Sequence, residues 1–223
     1  TKWFRDRGTL KTFYKSPNYN KIPNYTKLGF KLSKIPSNIY NKLFQNYKSN
    51  RHTAFKEDVD NIYYHNKTNS TVSKLQLLDN NIKQELNNIV KKILEEWVGF
   101  DLKHTSTYGI RIYEDNSLLK LHTDTYTTHI ISAIINISQS VRKDWPLIIY
   151  DVYGKEHQII LNPGDICMYE SAKCVHGRPI PFEGDEYANI FIHFMPLNWN
   201  TYVQKLIDSH NKHELLPIHS FEY

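Results

Sequence analysis

The sequence predicts an α+β fold that is mainly β: a double-stranded β-helix, or jelly roll, of about eight strands supported by N-terminal helices. Between Asp79 and Gly99, apolar residues recur at every third or fourth position, as on one face of a helix. After Gly99 the period changes to two, and short apolar segments separated by turn residues follow in close succession. This order of elements favours two packed sheets with helices behind them.

The chain of 223 residues fits one domain, because a domain of this length can bury roughly 70% of its unfolded surface. We expect a single domain over residues 1–223, with an irregular arm and edge strand (1–35), supporting helices (36–100), a jelly-roll core (107–196) and a C-terminal tail (197–223). Since the chain begins at Thr1, we also expect an excised fragment of a longer protein.

The composition excludes some classes of protein. The net charge of +5 is modest and the lysines are scattered, so nucleic-acid binding is not indicated. No apolar segment approaches the ~18–20 residues of a membrane span, and the N-terminus has no signal-peptide pattern. A soluble cytoplasmic protein is favoured over a secreted one, although the compartment stays open.

We expect Cys167 and Cys174 to be buried free thiols.

Two helices are predicted in front of the core. A short strand over 28–32 precedes a helix over 38–47, which Ser37 can cap and which has Ile39, Leu43 and Phe44 on one face. Residues 50–73 are polar and predict a loop. A long amphipathic helix begins near Asp79 and ends at Gly99. Its apolar positions are Ile82, Leu86, Ile89, Val90, Ile93, Leu94 and Trp97.

The remaining elements are short strands separated by turn signals such as Asn162-Pro163-Gly164. A helical stretch is predicted near residues 202–207 in the tail. The predicted strands are 107–113, 118–123, 129–137, 146–152, 157–161, 165–169, 173–177 and 187–195.

Three side chains in this region form a candidate metal site. Residues i and i+2 of a strand point to the same face, ~6.5–7 Å apart, so His122 and Asp124 can both face one ion. His176 follows about fifty residues later, beyond a glycine turn. Two imidazoles and one carboxylate are the protein ligands of a non-haem Fe(II) oxygenase site, which leaves half the coordination shell open. Alternatively, His176 is a hydrogen-bonded core histidine.

Other histidines lie near predicted strands. For each of them we expect a hydrogen-bonded or exposed imidazole without a role in the site. They are His104, His129, His157 and His193.

Four segments in this region form one pattern when they are taken together. They are His122-Thr123-Asp124, the turn Pro163-Gly164-Asp165, His176-Gly177-Arg178-Pro179, and 187–191. Together they resemble the Fe(II)/2-oxoglutarate-dependent dioxygenases, most closely the prolyl 4-hydroxylase-like branch. The resemblance covers roughly residues 107–196. It implies Fe(II) bound by the two histidines and the aspartate, 2-oxoglutarate and O2 as cosubstrates, and ascorbate as an optional reductant.

The sequence departs from that family at the residue that pairs with the far carboxylate of 2-oxoglutarate. The family has a Lys or Arg nine or ten residues after the distal His, but here these positions are Asp185 and Glu186. An acidic side chain would repel the cosubstrate. Another cation must therefore take this role if the resemblance holds.

Arg178 is our first choice for this anchor, because it shares strand parity with His176 and a guanidinium can clamp a carboxylate with two hydrogen bonds. A surface Arg in a turn is the alternative. Arg111 is the second choice and Lys120 the third. Tyr113 matches a family Tyr whose hydroxyl reaches the same carboxylate, although it could equally have a packing role.

Asn189 is a further candidate for the pocket, because it is in phase with Tyr187 and Phe191 on the last strand.

The resemblance implies hydroxylation of a C–H bond, with release of succinate and CO2. An intact Asp124 argues against the halogenase variant of this chemistry. We expect a prolyl or other residue of a peptide or protein as substrate, while a small molecule and the oligomeric state stay open.

Two alternative functions belong to other classes. A cupin-type metalloenzyme that does not use 2-oxoglutarate could have the same fold, but cupins usually bring more histidine ligands. A non-catalytic jelly-roll binding module would normally lack at least one of the three ligands.

Overall fold

Two antiparallel sheets form the centre of the structure, a computed structural model that describes the backbone of residues 21–57 and 73–210 and side chains up to residue 205. Predictions for residues 1–20, 58–72 and 211–223 lie outside the described residues. Within residues 21–57 and 73–210, no helix is long and apolar enough to cross a membrane.

The larger sheet contains seven of the described strands. These are β1 (Phe30–Lys34), β2 (Phe55–Lys56), β3 (Lys74–Leu75), β4 (Leu102–Tyr113), β6 (Ile131–Val141), β9 (Asp165–Tyr169) and β11 (Gly184–Pro196). Their order across the sheet is β1-β9-β6-β11-β4-β3-β2. The long strand β11 pairs with both β4 and β6 and so forms the centre of this sheet.

The smaller sheet contains four strands. These are β5 (Leu119–His122), β7 (Leu147–Tyr150), β8 (Glu156–Ile159) and β10 (His176–Arg178). Their order is β5-β10-β7-β8. In the register of β5 and β10, His122 lies opposite His176, so strand pairing alone brings two of the predicted ligands together.

In the described residues, three α-helices with given bounds accompany the sheets: α1 (Ser37–Asn50), α2 (Asn80–Val98) and α3 (Trp199–His210). The α2 helix begins as predicted, because Asp79 accepts hydrogen bonds from the backbone N–H groups of Asn81 and Ile82. It ends at Gly99, whose φ of 81° is left-handed. A short 3-10 helix, Arg51–Thr53, follows α1 in the region predicted as loop.

Apolar residues form two cores. One core lies between the helices and the larger sheet and buries Ile39 and Leu43 of α1 with Leu86, Val90 and Leu94 of α2. The other lies between the two sheets. The predicted jelly roll with supporting helices is therefore confirmed, while its single-domain boundaries over 1–223 stay a prediction.

Two local predictions were wrong. Ser37 does not cap α1, because Pro36 occupies the cap position and has no side-chain acceptor. The strand predicted over 173–177 begins only at His176, because the Glu170 carbonyl accepts the N–H groups of Lys173 and Cys174 in a turn. Cys167 and Cys174 are buried free thiols, as predicted.

Candidate active site

A cavity of about 230 Å³ lies between the two sheets. It contains all three predicted metal ligands and four of the predicted cosubstrate residues. The lining residues are Ser106, Thr107, Tyr108, Arg111, Tyr113, Leu119, His122, Asp124, His129, Ile134, Leu147, Tyr169, His176, Arg178, Asn189, Phe191 and His193.

His122, Asp124 and His176 converge on one point of this cavity. Asp124 Oδ1 lies 3.6 Å from His122 Nε2 and 3.8 Å from His176 Nε2. One ligand atom from each residue lies within 4.8 Å of the other two, which is the arrangement of a metal-binding group. In residues 21–57 and 73–205, this is the only such group of three or more His, Cys, Asp or Glu side chains.

Backbone carbonyls orient both imidazoles. The Nδ1 of His122 lies 2.7 Å from the Lys120 oxygen, and the Nδ1 of His176 lies 2.9 Å from the Cys174 oxygen. A carbonyl only accepts, so both Nδ1 atoms carry the proton and both Nε2 atoms present a lone pair to the cavity. This is the tautomer that a metal ion requires.

Asp124 is placed by a contact that strand alternation did not predict. It lies beyond the end of β5, and its backbone N–H donates to the Ser171 carbonyl at 2.9 Å. Its Oδ2 is buried and has no hydrogen-bond partner among the described residues. The other oxygen, Oδ1, lies beside the two Nε2 atoms, and a buried carboxylate next to two Nε2 lone pairs fits a cation.

The protonation states also fit a metal site. Burial raises the pKa of Asp124, but the nearby imidazoles of His122, His176 and His193 outweigh it and hold that pKa below its usual range. Burial, assisted by His122, lowers the pKa of His176 to about 4. At neutral pH the carboxylate is therefore charged and His176 is neutral, as metal ligands must be.

Gly177 allows the two histidine strands to lie close together. A Cβ atom at this position would be 2.6 Å from the Lys120 oxygen and 2.9 Å from the Leu119 oxygen, both on β5. Only glycine avoids that clash between backbones. The residue between His176 and Arg178 thus sets the spacing of the site.

Arg178 is a buried cation that lines the same cavity, with an exposed fraction of 2%. Its guanidinium donates to the Trp145 carbonyl and, at 3.1 Å, to the Tyr187 hydroxyl. The rings of these two residues lie 4.6 and 4.4 Å from its central carbon. In the described part of the chain, no carboxylate is among its partners. The alternative interpretation of Arg178 as a surface residue in a turn is therefore wrong.

Tyr113 and Asn189 also line the cavity. Tyr113 is fully buried, and burial raises its pKa while the charges of Arg111 and Arg178 act in the opposite direction. The Oδ1 of Asn189 is buried without a hydrogen-bond partner within the described residues. Both residues line the same cavity as Arg178.

The other predicted cations differ from Arg178. Arg111 lines the cavity but forms a bidentate ion pair with Glu57, with N–O distances of 2.9 Å from both Nε and Nη2. Lys120 does not line the cavity. Glu186 accepts a hydrogen bond from Tyr47 at 2.7 Å, so the family's usual anchor position here holds α1 against the sheet.

Sequence reasoning missed two residues of the cavity. His193 and His129 both line it, and the centres of their tilted rings lie 3.9 Å apart. The signal was present, because Asn189 and Phe191 were predicted on one face of the last strand and His193 is the next residue in that phase. By contrast, His157 pairs with Asp151 away from the cavity, as expected for a satisfied imidazole.

Comparisons with known proteins support this fold. No protein-family model and no curated protein sequence matches the chain. Among solved structures, a Pseudomonas putida prolyl-4-hydroxylase matches with a TM-score of 0.58 and 11% identity, over 80% of this chain and 98% of that chain.

Two further structures are similar. A prolyl hydroxylase from Trichoplax adhaerens, in complex with a hypoxia inducible factor oxygen degradation domain peptide fragment, matches with a TM-score of 0.57 and 11% identity, over 90% of this chain and 98% of that chain. HygX from Streptomyces hygroscopicus, with nickel and 2-oxoglutarate bound, matches with a TM-score of 0.55 and 12% identity, over 86% and 87%. The chain therefore has the fold of the 2-oxoglutarate-dependent oxygenases, which confirms the predicted resemblance at the level of fold.

Proposed function

We propose that this chain is an Fe(II)- and 2-oxoglutarate-dependent oxygenase that hydroxylates a C–H bond of its substrate. The observation that carries the proposal is the convergence of His122, Asp124 and His176 on one point of a cavity. In the overall reaction, substrate C–H, 2-oxoglutarate and O2 give substrate C–OH, succinate and CO2. Fe(II), when bound, supplies the activation of O2 that couples the decarboxylation to the oxidation of the substrate.

The chain's own residues hold the reactants. His122 and His176 present Nε2 lone pairs and Asp124 a charged carboxylate, which together suit Fe(II) and leave coordination positions open. Arg178 is the anchor for the far carboxylate of 2-oxoglutarate, because a buried guanidinium without an anionic partner is costly until an anion pairs with it.

Tyr113 and Asn189 complete the cosubstrate end of the cavity. The Tyr113 hydroxyl is an uncharged donor near both Arg111 and Arg178, and the Asn189 amide can donate to the same carboxylate. Ile134, Leu147 and Leu119 provide apolar walls that exclude water from this end. Low local polarity strengthens the charge-assisted hydrogen bonds of the anchor.

The substrate is a prolyl or other residue of a peptide or protein. The remaining wall of the cavity offers hydroxyl, imidazole and aromatic groups from Ser106, Thr107, Tyr108 and His129. Its one described cation, Arg111, is neutralised by Glu57. A neutral polar chain suits such a wall better than a charged metabolite, and one of the similar structures holds a peptide.

The test measures ligand binding by the rise in melting temperature. We expect Mn(II) to stabilise the wild-type protein, and 2-oxoglutarate to stabilise it further only when Mn(II) is present. Asp124→Ala and His176→Ala should remove both effects, whereas His157→Gln, a histidine outside the cavity, should keep them. Stabilisation by Mn(II) without any response to 2-oxoglutarate would instead support a metalloenzyme of the cupin type.

The class of substrate is tested by measuring the mass that candidate substrates gain in the reaction. Proline-containing peptides and free amino acids are incubated with Fe(II), 2-oxoglutarate and O2. We expect a gain of one oxygen on a peptide, matched by an equal amount of succinate. No gain on any prolyl peptide would remove proline as the target, and undiminished succinate formation by Asp124→Ala would refute the metal site.

A further inference from the structure

A chain of buried hydrogen bonds runs behind Asp124. His193 Nδ1 lies 2.7 Å from the Ser132 hydroxyl, and the Ser132 hydroxyl lies 2.6 Å from the Ser171 hydroxyl. The Ser171 hydroxyl donates to the His129 carbonyl at 2.9 Å. His193 on β11 lies directly opposite Ser132 on β6, so the pairing of the two strands sets the first contact.

The carbonyl at the end of this chain fixes the direction of every bond. A carbonyl can only accept, so the single hydroxyl proton of Ser171 points at His129. Ser171 must then accept from Ser132, and Ser132 in turn must accept from His193. The Nδ1 atom of His193 therefore carries a proton.

This N–H lies beside the metal ligand. His193 Nδ1 is 3.7 Å from Asp124 Oδ2, while Asp124 Oδ1 is the oxygen that faces His122 and His176. We propose that His193 is a positioning residue for Asp124, an inference that rests on the proposed function. The N–H donates to Ser132, and the positive edge of the imidazole that Ser132 holds in place faces Oδ2 at 3.7 Å, so that Oδ1 is the oxygen presented to the metal.

The same chain also holds the backbone of Asp124. The carbonyl of Ser171 accepts the Asp124 N–H at 2.9 Å, and the side chain of Ser171 is fixed by Ser132. The His129 ring packs against the His193 ring at a tilt of 31° and restricts rotation of that imidazole. Strands β6 and β11 thereby determine the orientation of a carboxylate that lies in neither of them.

The variants separate the hydrogen bond from packing. His193→Leu removes the N–H but keeps a buried side chain, whereas His193→Asn keeps an N–H donor near the place of Nδ1. Ser132→Ala removes the acceptor with a minimal change of volume. His104→Leu is the matched control, since His104 bonds Thr107 and is not part of this chain.

Titration calorimetry of the metal-free proteins with Mn(II) is the main measurement. We expect His193→Leu and Ser132→Ala to weaken Mn(II) binding by roughly 10- to 100-fold, as the loss of an outer partner of a metal ligand does. His193→Asn should recover most of the affinity, and His104→Leu should match the wild type. Near-ultraviolet circular dichroism establishes that each variant is folded.

A second measurement does not involve metal. Histidine-selective 15N NMR of the metal-free wild type should show a protonated Nδ1 that is lost in His193→Leu and shifted in Ser132→Ala. Wild-type affinity for Mn(II) in His193→Leu, or no recovery in His193→Asn, would overturn the positioning role alone. Absence of Mn(II) binding by the wild type would overturn the proposed function and the inference with it.

Discussion

Arg178 donates a hydrogen bond from Nη2 to the Tyr187 hydroxyl at 3.1 Å, and its guanidinium carbon lies 4.4 Å from the centre of the Tyr187 ring. The Tyr187 hydroxyl donates its own proton to the Leu161 carbonyl at 3.1 Å, so the hydroxyl oxygen accepts the hydrogen bond from Arg178. These contacts fix the orientation of the guanidinium but leave its charge uncompensated. A buried charge held in this way is suited to bind an anion.

The first prediction concerns this anchor. Arg178→Ala should raise the concentration of 2-oxoglutarate needed for half-saturation by roughly 10- to 100-fold, because a hydrogen bond to a charged group contributes about 1.5–3 kcal/mol. Arg178→Lys should recover only part of the affinity, since a lysine cannot form the bidentate contact. The measurement is the 2-oxoglutarate dependence of the melting temperature at saturating Mn(II).

Arg111→Ala is the matched control, because Arg111 lines the same cavity but is paired with Glu57. It should leave 2-oxoglutarate binding within a few fold of the wild type. The reverse result, with affinity lost in Arg111→Ala and kept in Arg178→Ala, would move the anchor to Arg111.

Local patterns were sufficient to predict part of this molecule. The α2 helix was predicted with its start near Asp79 and its end at Gly99, since the apolar period and the glycine lie within or next to the helix. His122 and His176 were predicted as ligands because their residue types and surrounding turns are visible in the sequence. Both lie in the candidate metal site.

Contacts between distant segments could not be predicted in this way. Asp124 is placed by Ser171, and Arg178 is buried by the ring and carbonyl of Trp145. The pairing of Glu57 with Arg111 joins residues 54 positions apart. Each depends on which strands become neighbours, and the period of apolar residues does not specify strand order.

The second prediction concerns the stability provided by Glu57. Its carboxylate pairs with Arg111 and accepts hydrogen bonds from Tyr108 and Ser73, and its side chain is 2% exposed. Glu57→Gln leaves the buried Arg111 without its counter-charge, which should lower the free energy of unfolding at pH 7 by roughly 3 kcal/mol. Urea unfolding followed by circular dichroism measures this loss.

The control for Glu57→Gln is an exposed ion pair. Glu85 pairs with Lys42, and their side chains are 37% and 52% exposed. Glu85→Gln should therefore change the free energy of unfolding by less than about 1 kcal/mol. Equal effects of the two substitutions would mean that the Glu57–Arg111 pair contributes no more than a surface contact.

The third prediction is the pH dependence of this contribution. Burial raises the pKa of Glu57, but Arg111 and the hydrogen bonds from Ser73 and Tyr108 together outweigh burial, so the pKa is lowered from its ordinary value of 4.5. The stabilisation is therefore fully present above about pH 4.5 and is lost as the pH falls through the lower folded-state pKa. The difference in unfolding free energy between wild type and Glu57→Gln should shrink over this acid range. A constant difference from pH 7 to pH 3 would contradict the assigned direction.

The fourth prediction concerns the two thiols. Burial raises the pKa of Cys167 to about 12 and the pKa of Cys174 well above its ordinary value. At pH 8 the thiolate fraction of Cys167 is then only about one in ten thousand, and the thiolate is the reactive form. We expect neither thiol to react with a disulfide reagent in the native protein and both to react after unfolding in urea. Ser49→Cys, on the exposed face of α1, should add one thiol that reacts at once. Rapid labelling of two thiols in the native wild-type protein would show that the core between the sheets opens, since Cys167 and Cys174 both lie within it.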